Sequence, residues 1–330
     1  MTYQLFKRLS LIGAIVALCV VVLGAYVRLS DAGLGCPDWP GCYGTLTVPE
    51  SVSAIEKAQF IFPNKPVEAG KAWKEMAHRY LAGGLGLVVL SLFILGWKAR
   101  ESIKVSPNLT TLLLILIVFQ ALLGMWTVTL LLKPVIVSAH LIGGMTTLGM
   151  LTWIAHRHWG KLNNLVVSAN VTIAIRLALL VLLGQIFLGG WTSTNYAALA
   201  CTDFPTCHGA WVPDMDFKDA FHLVRELGQS ADGGNLTLAS LTAIQWAHRV
   251  GALFVFLYLA GLALKLLSVP TLKSLSLLLL VVLLMQISLG IANLVLHLPL
   301  ILAVAHNLGA AILVITVVVI NSKITYQTRR

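Results

Sequence analysis

Residues 110–132 read TTLLLILIVFQALLGMWTVTLLL and residues 135–156 read VIVSAHLIGGMTTLGMLTWIAH, with only Lys133 and Pro134 between them. Neither run contains Asp, Glu, Lys or Arg, and each is long enough to cross the hydrocarbon core of a bilayer as a helix. Lipid offers no partner to backbone polar groups, so such runs form helices with internal hydrogen bonds. The short link between them predicts a tight antiparallel pair of membrane-spanning helices.

The rest of the 330-residue chain has the same apolar character. Hydrophobic residues make up 58% of it and charged residues 11%, roughly half the charged fraction of an average soluble domain, and the mean hydropathy is +0.87. This composition excludes a soluble globular protein and a disordered one. Eight spans are predicted, at 9–29, 76–97, 110–132, 135–156, 170–190, 241–266, 272–296 and 299–321. The predicted fold class is all-α integral membrane.

Positive charges are concentrated on one side of this topology. The formal net charge is +10, and the termini and even-numbered connections hold most of the surplus. Their cations are Lys7, Arg8, Lys98, Arg100, Lys104, Arg157, Lys161, Lys265, Lys273, Lys323, Arg329 and Arg330, against one anion, Glu101. Residues 200–240 are mainly acidic, with Asp203, Asp214, Asp216, Asp219, Glu226 and Asp232 against Lys218 and Arg225. Both termini are therefore predicted to be cytoplasmic, with loops 30–74 and 191–240 outside, and a nucleic-acid partner is excluded.

The N-terminal sequence predicts how the protein sits in the cell. The first span lacks a small-residue cleavage site, and the residues before it lack transit-peptide character, so we expect the span to be retained. These features predict a multi-pass protein of a bacterial inner membrane, embedded in the lipid bilayer. Its large loops would then face the periplasm or the outside.

The two halves of the chain resemble each other. The matched segments are Cys36-Pro-Asp-Trp-Pro-Gly-Cys42 with Cys201-Thr-Asp-Phe-Pro-Thr-Cys207, Ala77-His78-Arg79 with Ala247-His248-Arg249, Gln120-x-x-x-Gly124 with Gln286-x-x-x-Gly290, and His140-Leu-Ile-Gly with His306-Asn-Leu-Gly. Four matches in one order, at nearly constant separation, predict a duplicated four-helix unit. An even number of spans gives both halves the same orientation. We therefore expect two parallel-repeat four-helix bundles, residues 1–160 and 161–330.

Four histidines occupy repeat-matched places near the outer ends of their spans: His78, His140, His248 and His306. A single histidine in a span is most simply satisfied by a carbonyl or hydroxyl, but an unpaired one is costly. Two per bundle at one depth favour axial ligation of a haem. Zinc would need further ligands, and the absence of Cys-x-x-Cys-His excludes covalent attachment. The sequence predicts two non-covalent haem sites, His78/His140 and His248/His306.

One carboxylate breaks the symmetry of the halves. Glu75 lies three residues before His78, whereas Gln245 holds the same place before His248, and side chains three apart share a helix face. Glu75 is therefore a candidate general base, or a group that stabilises a cationic intermediate. The alternative is a helix N-terminal glutamate, favoured by the helix dipole and paired with an arginine one turn on.

Two arginines, Arg79 and Arg249, directly follow predicted ligands. Each is either a partner for haem propionates or an interfacial arginine that extends to lipid headgroups. The sequence leaves both interpretations open.

Four cysteines lie in the outward loops: Cys36, Cys42, Cys201 and Cys207. Disulfides persist in an oxidising compartment, and we expect each pair to close on itself, although four cysteines allow three connectivities. A structural staple is one interpretation, and a redox-active pair that exchanges electrons with the haem is the other. Cys19, inside the first span, is expected to be a packing residue.

Taken together, these residues resemble the haem A synthase family. The resemblance covers essentially the whole chain and is carried by Val27-Arg28-Leu-Ser-Asp-Ala-Gly-Leu-Gly-Cys36-Pro-Asp-Trp-Pro-Gly-Cys42, Glu75 and the four histidines. It implies oxidation of the C8 methyl group of haem O to a formyl group, giving haem A for terminal oxidases. It also implies that Glu75 is catalytic, that the first half binds the substrate on His78 and His140, and that the second binds haem b on His248 and His306. Haem O synthase and terminal oxidase assembly factors become candidate partners.

Residue spacing alone reaches a two-haem, eight-helix membrane protein with one asymmetric carboxylate. A di-haem b electron-transfer protein working with quinone fits that description too, and it would contain only unmodified haem b. The repeat also suggests a transporter, but transporters bind substrate near the bilayer midplane. The spans of this chain have few polar residues at that depth.

Overall fold

The computed structural model describes residues 2–103, 105–160, 165, 167–230 and 233–324. Within them the chain forms ten α-helices and a 3₁₀ turn, Ala197–Leu199. The helices are α1 (Thr2–Leu29), α2 (Val52–Ile61), α3 (Ala69–Lys98), α4 (Pro107–Thr129), α5 (Pro134–Trp159), α6 (Ala169–Thr194), α7 (Phe217–Ala220), α8 (Leu238–Leu266), α9 (Lys273–Val295) and α10 (Leu300–Ser322). Five charges used for the orientation, Lys104, Lys161, Asp232, Arg329 and Arg330, lie outside the described residues, as does part of the predicted boundary between halves.

Eight of these helices are long and apolar enough to cross a membrane. They are α1, α3, α4, α5, α6, α8, α9 and α10, one for each predicted span. Between Thr2 and Ile324, the described residues pair in β geometry only at isolated bridges. The all-α, multi-pass membrane fold is therefore confirmed.

The helix that carries Glu75 begins earlier than predicted. Helix α3 starts at Ala69, seven residues before the predicted span 76–97. Residues 69–75, AGKAWKE, are too polar for hydropathy to identify them as part of a membrane span. A helix can nevertheless continue beyond the hydrocarbon core. Glu75 therefore lies within the helix, in its second turn, and shares its rigid backbone with His78.

The predicted tight links between spans are confirmed and are built alike in both halves. Helix α4 ends at Thr129, before the predicted 132, because Leu131 and Leu132 have φ angles of 51° and 60° and cannot continue a right-handed helix. His297 and Leu298 make the same turn between α9 and α10, with φ angles of 58° and 62°. The duplication therefore extends to backbone conformation.

The spanning helices pack into one core to which both halves contribute. Helix α1 contacts α3 and α5, α6 contacts α8, and α10 contacts α1 and α5 across the halves. The contact between α5 and α10 is close at Gly149, where an added Cβ would lie 3.5 Å from Val318 and 3.7 Å from Val314. Small residues allow such close approach of helices in lipid. This contact joins the two halves directly.

Each of the two cysteine-containing loops is closed by its own disulfide, as expected. Cys36 is bonded to Cys42 with an S–S distance of 2.03 Å, and Cys201 to Cys207 with one of 2.07 Å. All four cysteines are buried. Cys19 differs from its expected packing role, because it is exposed on α1.

An aspartate inside each disulfide ring organises the loop. The carboxylate of Asp38 accepts hydrogen bonds from the backbone N–H groups of Tyr43 and Gly44, at 2.6 and 2.7 Å. The carboxylate of Asp203 accepts bonds from the hydroxyl of Thr206 and from two matched backbone N–H groups. These hydrogen bonds, above all the one from Thr206, hold the pKa of Asp203 below its ordinary value. Hydrogen bonds to the charged form of a carboxylate favour that form.

We expect Cys36 and Cys42 to resist membrane-impermeant maleimides until a reductant is added, because their sulfurs are bonded and buried. The measurement is a mass shift after labelling from outside, in a Cys19→Ala background that removes the free thiol. The Cys201–Cys207 pair provides an internal comparison. Labelling of Cys36 without reductant would contradict the disulfide in that loop.

Candidate functional site

The four histidines form one pair in each half. His78 on α3 lies close enough to His140 on α5 for the rings to interact electrostatically, and His248 on α8 is placed in the same way beside His306 on α10. His78 and His248 lie nine and ten residues from the starts of their helices, and His140 and His306 lie six from theirs. The structure thus brings together the residues predicted to act in pairs, and all four lie near the N-terminal ends of their helices.

Each histidine ring packs on a glycine of a neighbouring helix. A Cβ added to that glycine would approach the ring carbon Cε1 at 2.9 Å for Gly24 and His78, 3.4 Å for Gly124 and His140, 3.1 Å for Gly189 and His248, and 3.2 Å for Gly290 and His306. A larger residue at these places would push against the ring. The glycines therefore leave the space in which each imidazole is held.

The ring environments fit an axial ligand pair for haem. Nδ1 of His78, His140 and His306 is buried and has no hydrogen-bond partner among the described residues, and an unpaired buried polar atom is costly unless a ligand compensates it. In the described part of the chain, groups of three or more potential metal ligands are limited to Cys201, Cys207 and His208, whose two sulfurs form a disulfide. Paired histidines suit haem iron better than zinc.

Glu75 is buried and has two partners. Its carboxylate accepts a hydrogen bond from the backbone N–H of Cys36 at 2.9 Å and forms an ion pair with Arg79 one turn along α3. The Glu75 and Arg79 side chains are only 6% and 12% exposed, so removing either would leave a buried charge without its partner. Glu75 thus joins α3 to the disulfide loop, and among the described residues it makes no hydrogen bond to His78.

The matched position in the second half has no such link. Gln245 is buried, and its Oε1 atom lacks a hydrogen-bond partner among the described residues. Gln245 cannot ionise, and the backbone N–H that would correspond to that of Cys36 belongs to Cys201. The carboxylate and its attachment to the loop therefore belong to the first half alone.

Arg79 and Arg249 hold the disulfide loops against the bundles. Arg79 donates to the main-chain carbonyls of Asp38, Pro40 and Gly41, and Arg249 donates to those of Cys201, Asp203 and Thr206. The structure thus gives these guanidinium groups loop contacts that neither interpretation from the sequence included. A role toward haem propionates stays a prediction.

Part of the exposed surface of α3 after His78 is made of glycines, whereas the matched surface of α8 carries large side chains. A Cβ added at Gly83, Gly84 or Gly86 would meet nothing within 4 Å. The positions 170 residues later are Leu253, Phe254 and Phe256, and the first two are 58% and 59% exposed. The first half therefore has a recess on α3, which we call the glycine recess, where the second half has large apolar side chains.

Sequence reasoning missed a glutamine beside one of the histidines. Nε2 of Gln185 lies 2.9 Å from Nδ1 of His248. A signal was present, because Gln185-x-x-x-Gly189 is a third copy of the motif found at Gln120 and Gln286. The separation of 165 residues between the repeated halves aligns Gln185 with Val20. The glutamine of the motif is therefore missing only from the copy in α1.

Comparison with known proteins identifies the family of this chain. Residues 7–318 match the family model described as COX15-CtaA, cytochrome oxidase assembly protein. The chain is 46% identical over 308 residues to a protein of Shewanella oneidensis named haem A synthase, covering 92% of each. It is 27% identical to proteins of that name from Wolbachia pipientis, over 91% of this chain and 92% of the relative, and from Halalkalibacterium halodurans, over 74% and 76%.

The family match covers nearly all the chain, including both histidine pairs, Glu75 and both disulfide loops. The resemblance to haem A synthases predicted from the sequence is thereby confirmed. The chain belongs to the COX15-CtaA family of cytochrome oxidase assembly proteins.

Proposed function

We propose that this protein is a haem A synthase, an oxidoreductase that converts the C8 methyl group of haem O to the formyl group of haem A for terminal oxidases. The observation that carries the proposal is its 46% identity, over 92% of both chains, to a haem A synthase. Two partly buried histidine pairs support it, as does Glu75, the one buried carboxylate among the described residues, because this reaction needs a bound haem substrate and a group that accepts protons.

We assign the substrate to residues 1–160 and a resident haem b to residues 161–330. Glu75 supports this division because, within the part of the chain that the structure describes, only the first half has a buried carboxylate next to its histidine pair. The glycine recess supports it as well, since a substrate must enter and leave while a cofactor stays. Leu253 and Phe254 cover the matched surface of the second half.

The histidine pairs are the ligands in this proposal. His78 and His140 bind haem O and release haem A, and His248 and His306 hold haem b. When bound, haem b supplies one-electron redox chemistry. The glycines under the rings keep each imidazole in place between two helices.

Glu75 is the catalytic residue in this proposal. The Cys36 N–H and Arg79 hold its carboxylate at one place, where it would serve as a proton acceptor beside the bound substrate. Its charge acts in dry surroundings and can stabilise positive charge at that carbon. Arg79 and Arg249 keep the loops closed over the two sites, and we assign them a second contact, to haem propionates.

We place the protein in a bacterial inner membrane with both termini in the cytoplasm. The charge distribution of the connecting segments supports this orientation, and the two loop disulfides suit an oxidising outer compartment. Haem O synthase, as the source of substrate, and terminal oxidase assembly factors, as recipients of product, are the partners that this activity calls for. We leave the oligomeric state open.

Extraction of haem from the purified wild-type protein tests the function. We expect chromatography to separate haem O or haem A from haem b, because substrate or product stays bound in the first half. A second candidate, a di-haem b electron carrier working with quinone, is favoured by the equal pairing of histidines in both halves. Haem b alone in the extract would contradict the synthase and support that carrier.

A further inference from the structure

Three of the four histidines share a pair of neighbours that the fourth lacks. In each of the three, a glycine lies three residues after the histidine, and a glutamine lies four residues before the glycine under the ring. The three sets are His140 with Gly143 and Gln120, His248 with Gly251 and Gln185, and His306 with Gly309 and Gln286. His78 has Leu81 and Val20 at these positions.

The glycine and the glutamine of each set form a structural unit. A Cβ added to the glycine would lie 1.7 Å from Gln120 Nε2 at Gly143, 2.4 Å from Gln185 Oε1 at Gly251, and 2.2 Å from Gln286 Oε1 at Gly309. Real Cβ atoms do not approach other atoms so closely. Each glutamine amide therefore occupies space that only glycine leaves, and we call this unit the amide cradle.

The amide cradle reaches the ring most clearly at His248. Nε2 of Gln185 lies 2.9 Å from Nδ1 of His248 and 3.0 Å from its main-chain oxygen. Nε2 of Gln286 lies 3.4 Å from Nε2 of His306, and Nε2 of Gln120 is buried without a hydrogen-bond partner among the described residues. The amides of Gln185 and Gln286 therefore lie beside a ring nitrogen of their histidines, whereas the described residues show no hydrogen bond from Gln120 to His140.

His78 shares with the other three histidines the glycine under its ring, which is Gly24. His78 lacks the amide, because the aliphatic Val20 stands at the position of the glutamine. It also lacks the gap for an amide, because the aliphatic Leu81 stands at the position of the glycine.

We propose that the amide cradles fix His140, His248 and His306 as permanent haem ligands, and that His78, without one, is the ligand that releases when haem enters or leaves the first half. Groups around a metal-bound histidine set its orientation, and losing them typically weakens metal binding about 10–100-fold. A resident cofactor stays bound when both of its ligands are fixed. A substrate that is exchanged needs one ligand that can dissociate from it. This inference rests on the proposed division into substrate and cofactor halves.

The location of His78 agrees with this role. It shares α3 with Glu75 and with the glycine recess of Gly83 and Gly84. The releasable ligand is therefore on the helix that carries both the reactive carboxylate and the open surface. Gln120, Gln185 and Gln286 are positioning residues in this account, since they act through the histidines.

The test builds a cradle at His78 and removes one at His248. Val20→Gln combined with Leu81→Gly supplies the amide and its gap, and Val20→Leu combined with Leu81→Gly is the matched control with the gap alone. Purified haem-loaded protein is mixed with excess apomyoglobin, and the haem still bound is extracted and identified over time. The first-half haem is the one missing from a His140→Ala variant.

We expect the built cradle to slow loss of the first-half haem about tenfold relative to its control, and Gln185→Leu to speed loss of haem b about tenfold. Equal rates in the built cradle and its control would overturn the proposal. Should that variant fail to accumulate, Gln120→Leu decides: faster loss of the first-half haem supports the proposal, and an unchanged rate overturns it.

A redox measurement separates positioning from a merely structural role. Gln185→Leu should shift the midpoint potential of haem b, because it removes the amide that lies 2.9 Å from Nδ1 of His248. An unmoved potential in Gln185→Leu would overturn the role of the amide. Because rates are measured for whichever pigment the first half carries, haem b alone would refute the proposed function while the rates still decide the cradle.

Discussion

Replacing Glu75 with Gln is expected to lower haem A formation by at least about 100-fold, the low end of what a positioned general base contributes, while bound haem is retained. The amide oxygen of the new side chain can still accept from the N–H of Cys36, so the disulfide loop should keep its place. The charge and the proton-accepting capacity are lost. The measurement is the ratio of haem A to haem O in pigment extracted from the purified variant.

Two further variants show which property of Glu75 matters. Gln245→Glu adds a carboxylate at the matched place in the second half and should leave the haem A to haem O ratio unchanged. Arg79→Gln removes the ion-pair partner but keeps the carboxylate, which separates loss of the base from loss of the pair. Wild-type amounts of haem A from Glu75→Gln would exclude the catalytic role.

The sequence predicts the fold well because lipid restricts the choices. A run such as 110–132 has no alternative to a helix when its backbone groups lack outside partners. The same reasoning stops at the membrane surface, where it missed the helical start of α3 at Ala69. Water can satisfy the backbone there, so hydropathy carries no signal for the polar turn before Glu75.

The candidate site was predictable only where the duplication marked it. Repetition identified the four histidines and the exception at Glu75. The partners of these residues come from other segments, and no local pattern indicates them: Cys36 is 39 residues from Glu75, and Gln185 is 63 residues from His248. The contacts of Arg79 and Arg249 with loop carbonyls depend in the same way on how the disulfide loops fold back.

The differences between the halves are concentrated in one pair of helices. Glu75 and the glycine recess are on α3, and Val20 is on α1, whereas their counterparts are on α8 and α6. The other pair, α4 and α5 against α9 and α10, keeps its glutamine, its glycines and its histidine in both halves. One side of each bundle is thus alike in the two halves, and the other side carries the differences on which the proposed division into a substrate half and a cofactor half rests.

Replacing His248 with Ala is expected to remove haem b, reducing bound haem from two per chain toward one, because His306 alone cannot supply both axial ligands. Haem in the first half should remain, since His78 and His140 belong to the other bundle. Pigment per chain, with chromatography to identify it, is the measurement, and His222→Ala in the outer loop is the control. If the variant binds little haem of any kind, added imidazole should restore haem b by filling the vacated space above Gly189. An unchanged amount of haem b would refute ligation by His248, and with it the assignment of the second half to the cofactor.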